Sequence, residues 1–206
     1  MSTGPSGIVL AGGDGRRLGR DKARLEFNGR PLLDIVVQRL TGICDEVIVA
    51  CGASERQRLA GSQIRAVADR LPGRGPLAGL QAGLAAAISP HVLVVACDMP
   101  FLNTTLLSYM VDLSSGYDAV VPVMKGRQHP LHAVYDRQVL PAVDLTLGGD
   151  ERSMRALLGR LRVREVTEAD VRALDAGALS LFNINTPADL AYAEEIWRRR
   201  TIGVAA

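Results

Sequence analysis

The chain has 206 residues, of which 48% are hydrophobic and 22% charged, with 24 Lys and Arg against 22 Asp and Glu. A net charge of +2 and an aromatic content of 4% argue against a nucleic-acid partner, because both a basic field and stacking platforms are lacking. The length suits one α/β domain that buries its core without disulfides or metals.

The N-terminal MSTGPSG carries no basic region, and the apolar run GIVLA behind it is too short for a signal segment or a membrane span. Neither export nor membrane contact is expected. Cys44, Cys51 and Cys97 are odd in number, lack C-x-x-C spacing and lie in or beside apolar runs, which predicts reduced thiols and a cytoplasmic location. His91, His129 and His132 form no ligand cluster with them, so no structural zinc is expected, and His91 reads as a surface residue ahead of a strand.

In chain order, GIVLA reads as a buried strand leaving through a glycine turn. Leu10, Ala11, Gly12 and Gly13 open the loop LAGGDGRRLGRDK, whose glycines let backbone N–H groups approach an anion, while Arg16, Arg17, Arg20 and Lys22 supply positive charge. The chemistry is that of a loop holding a nucleoside triphosphate. A dinucleotide fingerprint fails, because Gly13, Gly15 and Gly19 are one residue too wide at the last step. A Walker loop fails as well, because Arg20 follows Gly19 and Ala23 follows Lys22.

Beyond the loop, Pro31 to Leu40 reads as a helix with Pro31 first and Leu32, Leu33, Val36, Val37 and Leu40 on one face. Strands at Glu46 to Cys51, Ile64 to Val67 and Val92 to Ala96 alternate with helices at Ser54 to Leu59 and Leu77 to Ile88, the pattern of a mostly parallel sheet. Gly75, Gly79 and Gly83 recur every four residues, which fits close approach to a nucleotide or to a neighbouring strand. The second half is less regular. Strands are expected at Asp118 to Val123, Leu131 to Tyr135 and Arg162 to Val166, and helices from near Thr104, at Arg137 to Leu147, Ser153 to Leu161 and Pro187 to Arg200. No repeat or low-complexity linker divides the chain. The expectation is a single-domain Rossmann-like three-layer α/β sandwich over 1–206, with a nucleotide-binding half at about 7–101 and an acceptor-binding half at about 102–200.

Asp98 follows the all-apolar VLVVAC, which puts a carboxylate at the carboxyl end of a central strand, where open α/β sheets bind ligands. A magnesium site there needs only one or two carboxylates; capping the helix near Thr104 is the alternative use. Asp69 ends its strand and fits either a contact to base or ribose or an ordinary turn.

The pattern L-A-G-G-x-G-x-R-[LM]-G-x-D-K resembles the signature loop of the sugar-nucleotide and cofactor nucleotidyltransferases. With GPLAG, the block Cys97-Asp98-Met99-Pro100-Phe101, QHPLHAVY and FNINTPADL, it makes nearly the whole chain similar to the molybdenum cofactor guanylyltransferases. The resemblance implies a nucleotide-diphospho-sugar transferase-like fold and transfer of GMP from GTP to the molybdopterin cofactor, with pyrophosphate released. It also implies transient contact with cofactor-delivery proteins. It assigns Asp98 to Mg²⁺, Arg16 and Lys22 to phosphate charge, Asp69 to the nucleotide, and Arg127 and His129 to the pterin or its phosphate. Asn185 becomes a second ligand in the site, and Gly149 to Ser153 resembles an anion-facing helix start that Asp150 capping would also explain. Where relatives often carry an Asn near the end of the Val47 strand, this chain reads Ala50-Cys51-Gly52. That departure leaves a cytidylyltransferase, or a nucleotidyltransferase for another phosphorylated small molecule, as the alternative. A non-catalytic nucleotide- or cofactor-binding protein is the reading from another class.

Overall fold

The computed structural model describes residues 4–12, 25–59, 64–68 and 75–203. Strand β1 (Ser6–Ala11) is buried along its whole length and lies between β4 (Glu46–Cys51) and β6 (His91–Ala96), parallel to both. Beyond β4 comes β5 (Arg65–Ala68), also parallel. On the other side β9 (His132–Asp136) runs antiparallel to β6 and to β7 (Ala119–Met124), which restores the parallel direction and pairs with β10 (Val163–Val166). The order is β10-β7-β9-β6-β1-β4-β5, with the short β8 (Arg127–Gln128) paired to β7. The mostly parallel sheet expected from the alternating apolar runs is present.

Residues alternate between its two faces, as the pleat requires. Val9, Val49 and Val95 pack with α1 (Leu32–Thr41), α4 (Thr104–Asp112) and α7 (Glu168–Leu174), while Ile8, Ile48 and Val94 pack with α3 (Pro76–Ala86), α5 (Leu140–Gly148) and α6 (Met154–Leu158). Three layers result, with α2 (Ala53–Leu59) joining β4 to β5. The spacing of Gly79 and Gly83 is explained by packing. A Cβ on Gly83 would come within 2.5 Å of Ile8 Cδ1, and one on Gly79 within 3.1 Å of Leu10 Cδ2. The glycines let α3 lie close on β1, and the alternative of direct approach to a nucleotide is not needed for them.

Three local expectations need correcting. Pro31 is not the first helical residue; it pairs within a two-residue hairpin, β2 (Glu26–Phe27) and β3 (Arg30–Pro31), and stands as the N-cap of α1 at φ −56° and ψ 136°. His91 is half-buried and forms the first residue of β6. The helix expected at Arg137 to Leu147 begins as a 3-10 turn over Arg137–Val139, and Pro141 sits in the first turn of α5, where its missing N–H costs no helical bond. The hairpin, α8 (Pro187–Gly203) and Phe101 enclose a third apolar cluster built on Phe27, Leu32 and Ile184. No described helix is long and apolar enough to cross a membrane.

Candidate active site

The chain moves from β1 to β4 on one side and reaches β6 on the other, so the carboxyl ends of β1 and β6 flank a topological switch point. Ligands in open α/β sheets bind in the crevice at such points. Leu10 and Ala11 are buried at the end of β1, Gly12 is exposed beyond them, and the Leu10 carbonyl accepts from Cys97 N–H at 3.1 Å. Gly13, Arg16, Arg17, Arg20, Lys22 and Asp69 lie outside the described residues. Helix α3, which follows β5, presents its first turn at this same edge and has no side-chain cap on its N-terminal amides.

Asp98 stands at the switch point, 6% exposed. Asn183 Nδ2 donates to its Oδ1 at 2.7 Å, and Ile184 N–H donates to its carbonyl at 3.0 Å. The carboxylate is thereby gripped by the Phe182-to-Asn185 segment, and it does not cap α4. That cap is Asn103, whose side chain accepts from Leu106 N–H at 3.0 Å. Sequence reasoning singled out Asn185 and passed over Asn183; the signal was the repeated Asn in the quoted FNINTPADL. Thr186 and Asp189 do form the helix start expected there. Asp189 Oδ2 accepts from Asn185 and Thr186 N–H, and Thr186 Oγ1 accepts from Asp189 N–H.

Next to Asp98 opens a cavity of about 870 Å³, with Met99 and Asn183 in its lining. Lys125, Arg127 and Arg172 line it, and none of the described lining residues is acidic. His129 lines it with Arg127, which brings the two expected acceptor-side residues to one surface, and Asn185, expected as a second ligand in the site, lines it as well. The β7–β8 hairpin that carries the first two cations turns at Lys125 (φ 50°) and Gly126 (φ 70°), the positive pair that a two-residue turn of this type requires. Glu168 of α7 holds the turn by accepting from Lys125 N–H at 2.9 Å, and it also pairs with Arg172 at 2.8 Å. Burial, and then the neighbouring Arg127 charge, lower the His129 pKa, so its imidazole is neutral at physiological pH. The segment Gly149 to Ser153 is explained locally: Ser153 caps α6 by accepting from Ala156 N–H, and Arg152 Nε donates to the Gly149 carbonyl. Asp150 is not the cap.

Below this surface His132 is fully buried in β9 opposite Val95, and neither ring nitrogen has a hydrogen-bond partner among the described residues. Burial first, and then the positive field of His129, lower its pKa to about 3. It is a neutral core residue with an unmet hydrogen-bonding capacity, which costs stability.

A gripped carboxylate at a switch point, next to a cationic cavity with no acid in its described lining, suits an α/β enzyme that handles a nucleotide and an anionic substrate. The chain belongs to the MobA-like NTP transferase domain family, whose model matches residues 7–166. It is 38% identical to a probable molybdenum cofactor guanylyltransferase of Pelotomaculum thermopropionicum, over 90% of this chain and 89% of that one. It is 34% identical to the molybdenum cofactor guanylyltransferase of Desulfosudis oleivorans, over 92% and 94%. Among solved structures, molybdopterin-guanine dinucleotide biosynthesis protein A from Archaeoglobus fulgidus superposes with a TM-score of 0.84 at 28% identity, covering 94% of this chain and 99% of that one. The cytidylyltransferase for 2-C-methyl-D-erythritol 4-phosphate from Thermus thermophilus shares the fold at a TM-score of 0.70 and 21% identity, covering 93% and 98%.

Proposed function

We propose that this nucleotidyltransferase transfers GMP from GTP to the terminal phosphate of the molybdopterin cofactor. An oxygen of the acceptor phosphate attacks the α-phosphorus of GTP, a new P–O bond forms, the bond to the β-phosphate oxygen breaks, and pyrophosphate leaves. The acceptor oxygen is already anionic, so alignment and charge screening replace a general base. The observation that supports this best is the placement of Asp98 between the carboxyl end of β1 and a cationic cavity with no acid among its described lining residues.

The donor set around Asp98 suits a divalent ion of the magnesium kind. No group of three or more His, Cys, Asp or Glu among the described residues could hold a metal, whereas Mg²⁺ uses one or two carboxylates and completes its shell with water and substrate phosphate. Asp98 would hold it, with Asn185 beside it, and the bound ion would neutralise charge on the triphosphate. Lys22 and Arg16 are assigned the charge of the phosphates and of the departing pyrophosphate, and Asp69 a contact to base or ribose. Leu10, Ala11, Gly12 and Gly13 are assigned the backbone cradle. Lys125 and Arg127 meet the acceptor phosphate, and neutral His129 offers it a hydrogen bond.

Base choice is the sharpest test, because β4 ends in Ala50-Cys51 with exposed Gly52 and offers no side-chain amide to a base. Pyrophosphate release is measured with GTP and with CTP, molybdopterin being the acceptor in both. Faster release with GTP is expected; preference for CTP overturns the guanylyl assignment in favour of the cytidylyl one.

A further inference from the structure

The chain is poor in aromatic residues, with three Phe, one Trp and four Tyr. Five of those eight stand in one continuous ladder. Trp197 meets Phe27 at 5.4 Å and 84°, Phe27 meets Phe101 at 5.8 Å and 89°, Phe101 meets Phe182 at 6.4 Å and 49°, and Phe182 meets Tyr192 at 5.7 Å and 57°. The first rungs are edge-on contacts inside the third apolar cluster, the geometry that ring quadrupoles favour. The last rung differs from the others: Tyr192 is 56% exposed, and its exposed ring borders the 870 Å³ cavity together with Phe182.

An aromatic side chain held by its neighbours but left open to a cavity is a preformed face for a flat ligand, since its rotamer is ordered before the ligand arrives. The same cavity offers Lys125, Arg127 and Arg172 and no acid among its described lining residues, which suits an occupant that is both planar and anionic. We infer that Tyr192 is the stacking platform for the planar heterocycle of the acceptor, and that Phe182 sets its tilt. Resting on the acceptor reading above, this assigns a specificity-determining residue to it: the cations hold the phosphate end and Tyr192 the ring end. Phe182 precedes Asn183, the residue that grips Asp98, so the ring face and the carboxylate are positioned by adjacent residues of one segment.

The test uses Tyr192→Ala, Tyr192→Leu and Tyr192→Phe in the full chain. Because the ring is more than half exposed, its truncation leaves the core intact, which melting temperatures check. Tyr192→Ala is expected to raise the acceptor KM about 10-fold, as loss of one stacked ring does, with the KM for GTP unchanged and kcat within about twofold. Tyr192→Phe should restore the acceptor KM, and Tyr192→Leu should not, because leucine fills space without presenting a π face. Independently of turnover, pterin-6-carboxylate, a flat anionic fluorophore, should be quenched on binding the wild-type chain and much less by Tyr192→Ala. Wild-type turnover with an unchanged acceptor KM and undiminished pterin quenching in Tyr192→Ala would overturn the platform while leaving the transferase reading standing. Full rescue by Tyr192→Leu would reduce the role to packing and overturn it too. If the wild-type chain fails to turn over GTP with molybdopterin yet the quenching depends on Tyr192, the acceptor reaction falls and the ring-binding face remains.

Discussion

The sheet has two unlike sides. From β6 through β1 and β4 to β5 it is wholly parallel, and among the described residues its carboxyl edge presents Gly12, a helix start without a side-chain cap and the Asp98 carboxylate. From β6 across β9 and β7 to β10 it changes direction twice, and the cavity there is shaped by side chains: three cations, two asparagines and an aromatic face. Bound as proposed above, a polyphosphate that every substrate of the class shares would meet this parallel side through backbone amides, Arg16, Lys22 and the ion held by Asp98. On the proposed reading the mixed side would meet the acceptor through side chains, which is where acceptor identity would be read.

Three changes probe that division. Asp98→Ala should have the largest effect, lowering turnover by about three orders of magnitude or more while leaving the melting temperature near that of wild type. Substantial retained turnover would show that the parallel side acts through backbone and cations alone. Asn183→Ala comes next. It removes the 2.7 Å bond that orients the Asp98 carboxylate, so turnover should fall about 10- to 100-fold and the magnesium requirement should rise. If only the acceptor KM moves, Asn183 belongs to the mixed side and not to the seam.

The smallest effect is expected on stability. His132 stays neutral in the folded chain down to about pH 3, whereas in the unfolded chain it takes up a proton near its ordinary value of 6.5. Its share of stability is therefore intact above pH 6.5 and is lost as pH falls from there toward 3, with a slope of about 1.4 kcal/mol per unit. Urea unfolding at pH 7.5 and pH 5 should show His132→Leu losing about 2 kcal/mol less than wild type over that interval. Equal losses in the two chains would mean that the histidine finds a proton partner inside the sheet.

The same division governs what the sequence makes legible. Strands β1, β4 and β6 are recognised to within one residue because each is an unbroken apolar run, and such runs signal burial on both faces. On the mixed side α7 escapes notice, since only Val171 of its seven residues is buried and no apolar stripe marks it. Its signature was the Thr167 and Asp170 capping box, a pattern at the right spacing in plain view. The β2–β3 hairpin has two residues per strand, too few for any periodicity. Asp98 was legible as a site because it ends an apolar strand, but its partner Asn183 was not, because their pairing is tertiary. The aromatic ladder is tertiary in the same way, joining residues from Phe27 to Trp197 that share no local pattern.

The grip on Asp98 also limits how such an enzyme can be recombined. The aspartate belongs to the strand-rich first part of the chain, yet the amide that aims it is encoded 85 residues downstream. A chimera that splices this first part onto the second part of a relative inherits the aimed carboxylate only if the donor brings its own asparagine, followed by a main-chain N–H in the same place, to the seam. Diversification within this architecture is accordingly easiest by exchange of single cavity-lining side chains, and hardest by exchange of whole halves.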